Sequence, residues 1–184
     1  MKIFFVTGNK GKFMEVKEIM DGQEIEVEQI EIDKPEMKSD SIKEIAKDAA
    51  EKLANQLGKT IVVEDTGFFL KAFNNFPGAH PKFVYDGIGL EGIFKLLEGK
   101  DRSAYFKTVA AYSEPGKEAV CFEGVFEGRV ADNISDVDSL PGLPYDKMFI
   151  PANGDKPWSE IPEAKKEGNH RKEAFEKLAK FLKK

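Results

Sequence analysis

Four short stretches of this 184-residue chain carry residue types that can do chemistry. The first, Thr7-Gly8-Asn9-Lys10-Gly11-Lys12, lies between an apolar run and a helix-like pattern. A glycine-containing turn there presents backbone N–H groups and a helix N-terminus, which suit an anion, and Lys10 and Lys12 add positive charge. The spacing is not that of a P-loop, and an ordinary strand–helix turn with solvated lysines is the other reading. The second, Glu64-Asp65-Thr66-Gly67, puts two adjacent carboxylates at the expected end of an apolar strand. That is where open α/β sheets place their ligands, and alternation sends the two side chains to opposite faces. Hard carboxylate oxygens there suit Mg²⁺, which prefers one or two carboxylates plus substrate phosphates. A polar strand exit is the plainer alternative.

The third stretch is Gly168-Asn169-His170-Arg171, preceded by Lys165 and Lys166. Asn169 is a good N-cap, and His170 and Arg171 then stand at the helix end that attracts anions. In the fourth, Leu143-Pro144-Tyr145-Asp146, a Tyr beside an Asp can stack on a ring and accept its hydrogen bonds, or can simply open a strand. Glu36 is a lone loop carboxylate. Other chemistries lack their parts. Two histidines make no zinc constellation, there is no nucleophile elbow, and the single Cys121 excludes an internal disulfide framework.

The elements that must position these residues follow from periodicity. Lys2 to Val6 reads as a buried strand and Lys12 to Met20 as a helix with Phe13, Val16, Ile19 and Met20 on one side. Between Glu24 and Ile32 the alternation slips phase after Val27, which suggests a bulged strand. Ser41-Ile42-Lys43-Glu44 is a capping box for a helix that Gly58 ends. Thr60 to Glu64 is a third strand, and Gly89 to Leu97 a short helix. Arg102 to Ser113 and Lys117 to Val130 form a hairpin. A Gly/Pro-rich loop, a short strand near 147–150 and a C-terminal helix from about Arg171 complete the chain. The expectation is one α/β domain over residues 1–184, a two-lobed mixed β-sheet with flanking helices and a central cleft as the natural ligand site.

Composition sets limits on partners. Basic residues number 28 against 33 acidic ones, a net charge of −5 that disfavours bulk binding to nucleic acid. Only three of the 28 are arginine (Arg102, Arg129, Arg171), a lysine- and glutamate-rich balance like that of heat-adapted proteins. Apolar runs are too short for a membrane span or a secretory signal, so the expected setting is cytoplasmic, with no membrane partner.

The order of the motifs is more specific than any one of them. Thr7-Gly8-Asn9-x-x-Lys12, Glu64-Asp65-Thr66, Pro77-Gly78, Tyr145-Asp146 and Asn169-His170-Arg171, spread over nearly the whole chain, resemble the inosine triphosphate pyrophosphatase family. The resemblance implies a homodimer that cleaves ITP, dITP or XTP to the monophosphate and pyrophosphate with Mg²⁺. It makes Thr7, Asn9 and Lys12 triphosphate contacts, in a substrate-binding turn that includes Gly8, Lys10 and Gly11, with Thr66 close by. It makes Glu36 and Asp65 metal ligands, with Glu64 in support, and Asp65 the residue that activates water. It assigns Leu143, Pro144, Tyr145 and Asp146 to the base pocket, and Lys166, His170 and Arg171 to a closing cationic, base-reading group.

Three positions depart from the family pattern. Leu143-Pro144 replaces Phe-Gly, so stacking would rest on Tyr145, and Asn169 replaces Ser. The stretch before His170 is one residue short, which makes Lys165 and Lys166 alternatives for one role. The rival functions are a pyrophosphatase for modified or pyrimidine nucleotides and a non-catalytic nucleotide sensor.

Overall fold

A computed structural model describes residues 1–35 and 37–184, so Glu36 lies outside the described residues. The chain folds as a seven-stranded mixed sheet with helices on both faces. Strand β1 (Lys2–Val6) leads into α1 (Lys10–Asp21), then β2 (Glu26–Ile30), α2 (Ile42–Leu57) and β3 (Ile61–Leu70). Strand β4 (Phe76–Gly78) and helix α3 (Pro81–Leu96) follow, then the long hairpin β5 (Ser103–Ser113) and β6 (Val120–Val130). Strand β7 (Phe149–Pro151), a short α4 (Pro162–Glu167) and α5 (His170–Leu182) complete the order.

The capping signals act as written in the sequence. Ser41 accepts from the Glu44 N–H, and Gly58 ends α2 in the left-handed conformation. The reciprocal arm of the capping box is relayed. Ser39 Oγ accepts from Ser41 N and donates to Glu44, in place of a direct Glu44 bond.

Two expectations need correction. Strand β2 has no bulge, because it pairs residue for residue with β1 from Lys2↔Glu26 to Val6↔Ile30. The phase slip has another cause: both faces of the sheet are covered. Ile25 and Val27 join the core under α1 and α5, while Ile30 and Ile32 pack toward α2 on the opposite face. Helix α3 also starts eight residues before the expected Gly89, where a left-handed residue (φ 64°) kinks it. Its first half escaped notice because Phe83 (79% exposed), Tyr85 and Ile88 face outward and leave no inward stripe.

Sheet topology creates the site. One edge of β3 pairs with β5 along its whole length, Ile61↔Ser113 to Leu70↔Ala104. The other edge is shared. Strand β1 pairs in parallel with Ile61 to Val63, and β4 pairs antiparallel with Phe68 to Leu70. Glu64, Asp65, Thr66 and Gly67 therefore have no strand partner on that edge among the described residues. The carboxylates lie within a continuous ten-residue strand, and what ends beside them is β1. On the α5 face this stretch forms a polar island, Glu64, Thr66 and Thr108, between the apolar cores around Val62 and around Phe68.

Helix α5 reaches that island because of Gly124 on β6. Thr66 pairs with Thr108, and Thr108 with Gly124, in one row across the sheet. A Cβ at Gly124 would fall on the His170 carbonyl and the Ala174 N–H, both rigid backbone. Gly124→Ala is therefore expected to destabilise the fold by about 2 kcal/mol or more, as forced overpacking does, read as a lower urea midpoint at unchanged m-value.

Candidate active site

The turn after β1 is built from its own side chains. Thr7 Oγ1 accepts from Asn9 N (3.1 Å), and Asn9 Oδ1 caps α1 by accepting from Lys12 N (3.0 Å). Asn9 Nδ2 donates to the Gly142 carbonyl (2.9 Å), and Gly11 N to the Pro141 carbonyl (3.0 Å). These bonds clip the first turn of α1 to the loop ahead of Leu143. Gly11 has to be glycine, since a Cβ would fall on the Pro141 oxygen. Helix α1 begins at Lys10, two residues before the expected start. Gly8 and Lys10 are exposed, and Lys12 turns inward to Glu64 Oε1 at 3.0 Å.

From that contact a chain of alternating charges crosses the site. Glu64 (2% exposed) accepts from Arg171 Nε at 2.7 Å and from Nη2 at 3.3 Å, and also from the Thr66 hydroxyl. Arg171 (1% exposed) bonds through Nη1 to Glu15, Glu15 pairs with Lys165, and Lys165 pairs with Asp146. Thr66 Oγ1 and Thr108 Oγ1 are 2.7 Å apart. On the opposite face, Lys34 Nζ stands 3.7 Å from Asp65 Oδ1 and donates to the Glu64 carbonyl at 3.0 Å. Four carboxylates (Asp146, Glu15, Glu64, Asp65) thus face four cations (Lys165, Arg171, Lys12, Lys34).

Environment pushes these groups in different directions. Burial alone would raise Glu64, but Arg171 and Lys12 hold it well below the ordinary carboxylate range. Glu15 is likewise lowered, with burial outweighed by Arg171 and Lys165. Asp65 and Asp146 go up because burial dominates their lysine partners. Burial, Arg171 and Lys165 keep His170 well below its usual value, so it is neutral. Its ring stacks on Phe106 (4.6 Å) and Trp158 (5.5 Å), and its Nδ1 has no hydrogen-bond partner among the described residues.

The expected site residues are therefore distributed unevenly. Glu64, Asp65, Thr66, Lys12 and Arg171 converge at the gap in β3. Of the two alternatives on α4, the fold turns Lys165 inward, while Lys166 sits on the surface with Glu18 and Glu163. Leu143 caps a tight 3-10 turn over Pro144–Lys147, and a strand opens only at Phe149. Tyr145 packs against Phe68 (4.9 Å), and its hydroxyl donates to the Pro81 carbonyl at 2.7 Å. Glu15, Lys34 and Thr108 were missed by the sequence reading. Glu15 has the one visible signal, a charged residue next to the apolar Val16 stripe of α1.

A cavity of about 760 Å³ opens beside this network, lined by Glu15, Asp146, Trp158, Ser159, Lys165 and Asn169 among others. The buried Ser159 hydroxyl has no partner among the described residues. A second cavity of about 710 Å³, near β4 and α3, is walled mainly by Phe69, Phe73, Phe76 and Phe83 and contains none of the network.

A mixed sheet with a gap in one edge, and a balanced array of buried carboxylates and cations at that gap, defines an α/β protein with an anion-handling cleft. The chain belongs to the Ham1 family, whose model matches residues 3–181. It is 43% identical to the dITP/XTP pyrophosphatase of Methanopyrus kandleri over 100% of this chain and 97% of that protein. It is 36% identical to the dITP/XTP pyrophosphatase of Pyrococcus horikoshii, with the same coverage. The Staphylococcus aureus Ham1 protein superposes with a TM-score of 0.81 at 28% identity, over 100% of this chain and 98% of that one.

The lowered carboxyls have a definite consequence in acid. A carboxyl held below its unfolded value near 4.5 stabilises the fold above that pH, and its contribution is lost as pH falls through the lower folded value. Asp65 and Asp146, raised in the fold, act in the opposite sense. Glu64→Gln is expected to cost about 3 kcal/mol at pH 7, because it strips Arg171 of a buried partner. It should also flatten the fall in stability below pH 4.5, as measured by urea unfolding from pH 7 to 3.

Proposed function

We propose that the protein hydrolyses the non-canonical purine nucleoside triphosphates dITP, ITP and XTP to the monophosphate and pyrophosphate, with residues 1–184 acting as one catalytic domain. The observation that carries this reading is the gap in β3, where Glu64 is paired with Arg171 and Lys12 while Asp65 stands beside Lys34. The names of the relatives support dITP and XTP among these substrates.

The donor set at the gap suits Mg²⁺. Among the described residues no three Asp, Glu, His or Cys side chains cluster tightly enough to hold a metal alone. Mg²⁺ does not need such a cage, because it keeps waters and takes one or two carboxylates with substrate phosphates. Glu64 has its oxygens occupied by Arg171, Lys12 and Thr66. Asp65 (17% exposed) accepts no side-chain hydrogen bond among the described residues, its Lys34 partner standing at 3.7 Å. Asp65 would hold the metal with Glu36, and Glu64 would act one step back by fixing Arg171. The metal supplies charge neutralisation at phosphate oxygens.

The chain's own residues do the rest. Lys12 and the turn from Thr7 to Lys12 bind the phosphates, with Thr7 and Asn9 holding that turn in shape and Gly8 leaving its outer surface open. Asp65, its carboxyl lifted by burial, takes the proton from the attacking water. The base lies in the cavity lined by Asp146, Ser159 and Lys165, with His170 stacked on the lining Trp158 and Arg171 bonded to the lining Glu15. Hypoxanthine and xanthine carry a C6 oxygen where adenine carries an amino group, so cationic donors favour the former and clash with the latter.

We also infer a cytoplasmic homodimer. The exposed Phe76, Phe83, Tyr85 and Ile88 around β4 and α3 supply an apolar surface for pairing. No helix among the described residues is long and apolar enough to cross a membrane.

With ITP, GTP and ATP supplied separately with Mg²⁺, anion-exchange analysis should find IMP and pyrophosphate from ITP and little product from the others. IDP and orthophosphate would overturn the assigned bond. Asp65→Asn should lower kcat by about a thousand-fold while nucleotide still binds, whereas a sensor would keep its ligand response unchanged. Lys165→Met should impair dITP turnover at least about tenfold, a buried charge contact being worth several kcal/mol, and Lys166→Met should stay close to wild type.

A further inference from the structure

Lys34 stands at the site, yet no step of the proposed chemistry gives it a role. It stands between β2 and α2, directly before Pro35, which restricts the backbone ahead of it to extended conformations. Its stem crosses to the unpaired edge of β3, where the ammonium donates to the Glu64 carbonyl at 3.0 Å. That carbonyl belongs to the stretch left without a neighbouring strand, so the lysine meets a hydrogen-bonding need that the sheet leaves open. From this anchor Nζ reaches to 3.7 Å from Asp65 Oδ1. The positive charge beside the Asp65 carboxylate is therefore supplied by the chain itself.

We propose that Lys34 is a positioning residue that makes divalent-metal binding at Asp65 conditional on nucleotide phosphate. The inference rests on the reading of Asp65 as a metal ligand. A divalent cation approaching Asp65 alone meets the Lys34 ammonium, with Lys12 close behind on the Glu64 side, and both repel it. Phosphate oxygens reverse the balance, since they give both ammoniums an anion to bind and add ligands to the metal. Lys34 is suited to the exchange. Its side chain is 32% exposed, its stem is flexible, and among the described residues its recorded partners are the carbonyl and Asp65. Arg171, gripped on two sides by Glu64 and Glu15, has no such freedom. Metal therefore enters with the nucleotide, and Asp65 is kept from collecting free cations.

The test is direct binding of Mn²⁺, a hard ion for the same oxygen ligands, followed by the loss of its free-ion EPR signal. It is measured with and without an α,β-imido analogue of dITP. Wild-type protein should bind Mn²⁺ alone at least about tenfold more weakly than with the analogue. Lys34→Met should tighten binding of Mn²⁺ alone by about tenfold, and Lys34→Arg, which keeps the charge, should not. Equal affinity of wild type and Lys34→Met for Mn²⁺ alone overturns the inference while leaving the pyrophosphatase reading intact. If the analogue with Mn²⁺ binds to neither protein, that reading fails and the inference falls with it. Should Lys34→Met not fold, Lys34→Gln replaces it, and wild-type affinity for Mn²⁺ that is the same with and without analogue also overturns the proposal.

Discussion

The buried contact between Glu64 and Arg171 ties the two parts of the site together. A carboxylate and a guanidinium removed from water are tolerable only as partners, and each here is almost fully enclosed. Glu64 is fixed by β3, in the middle of the sheet, and Arg171 by the first turn of α5, whose cap Asn169 bonds to Arg171 N and Lys172 N. The pair therefore sets where α5 lies on the sheet. Gly124 supplies the required space, and the stacking of His170 on Phe106 and Trp158 follows from the same placement.

The remaining charges extend that pair outward. Arg171 has a second carboxylate in Glu15, Glu15 a second cation in Lys165, and Lys165 a second carboxylate in Asp146. Five elements, α1, β3, α4, α5 and the 3-10 turn after Leu143, are thus linked through ionised groups, each satisfied by its neighbours. A polyanion placed at one end of such an array would perturb its neighbours in turn, which would couple the proposed phosphate and base sites without a long conformational path. Asp65 stands on the other face, where Lys34 is its one salt-bridge partner among the described residues.

Much of this was legible in the residues. The caps at Asn9, Ser41 and Asn169, the left-handed Gly58 and the apolar stripes of α1, α2 and α5 act locally, so sequence spacing alone locates them. The opposite facing of Glu64 and Asp65 follows from strand alternation, which tertiary structure does not change. The phase slip in β2 was misread because a strand covered on both faces has no single apolar side. The first half of α3 was missed because its large apolar side chains point outward.

By itself, then, the sequence determined the elements, their caps, the placement of two carboxylates on one strand and the motif order that marks the family. All of these depend on neighbours within a few residues or on linear order. Only the tertiary structure decided that β1 and β4 share an edge of β3 and leave Glu64 to Gly67 open between them. It also decided that Lys165 rather than Lys166 turns inward, and that Glu15 and Lys34 belong to the site. Those outcomes depend on which helix face meets the sheet and on how charges more than a hundred residues apart neutralise one another once burial removes water as a partner.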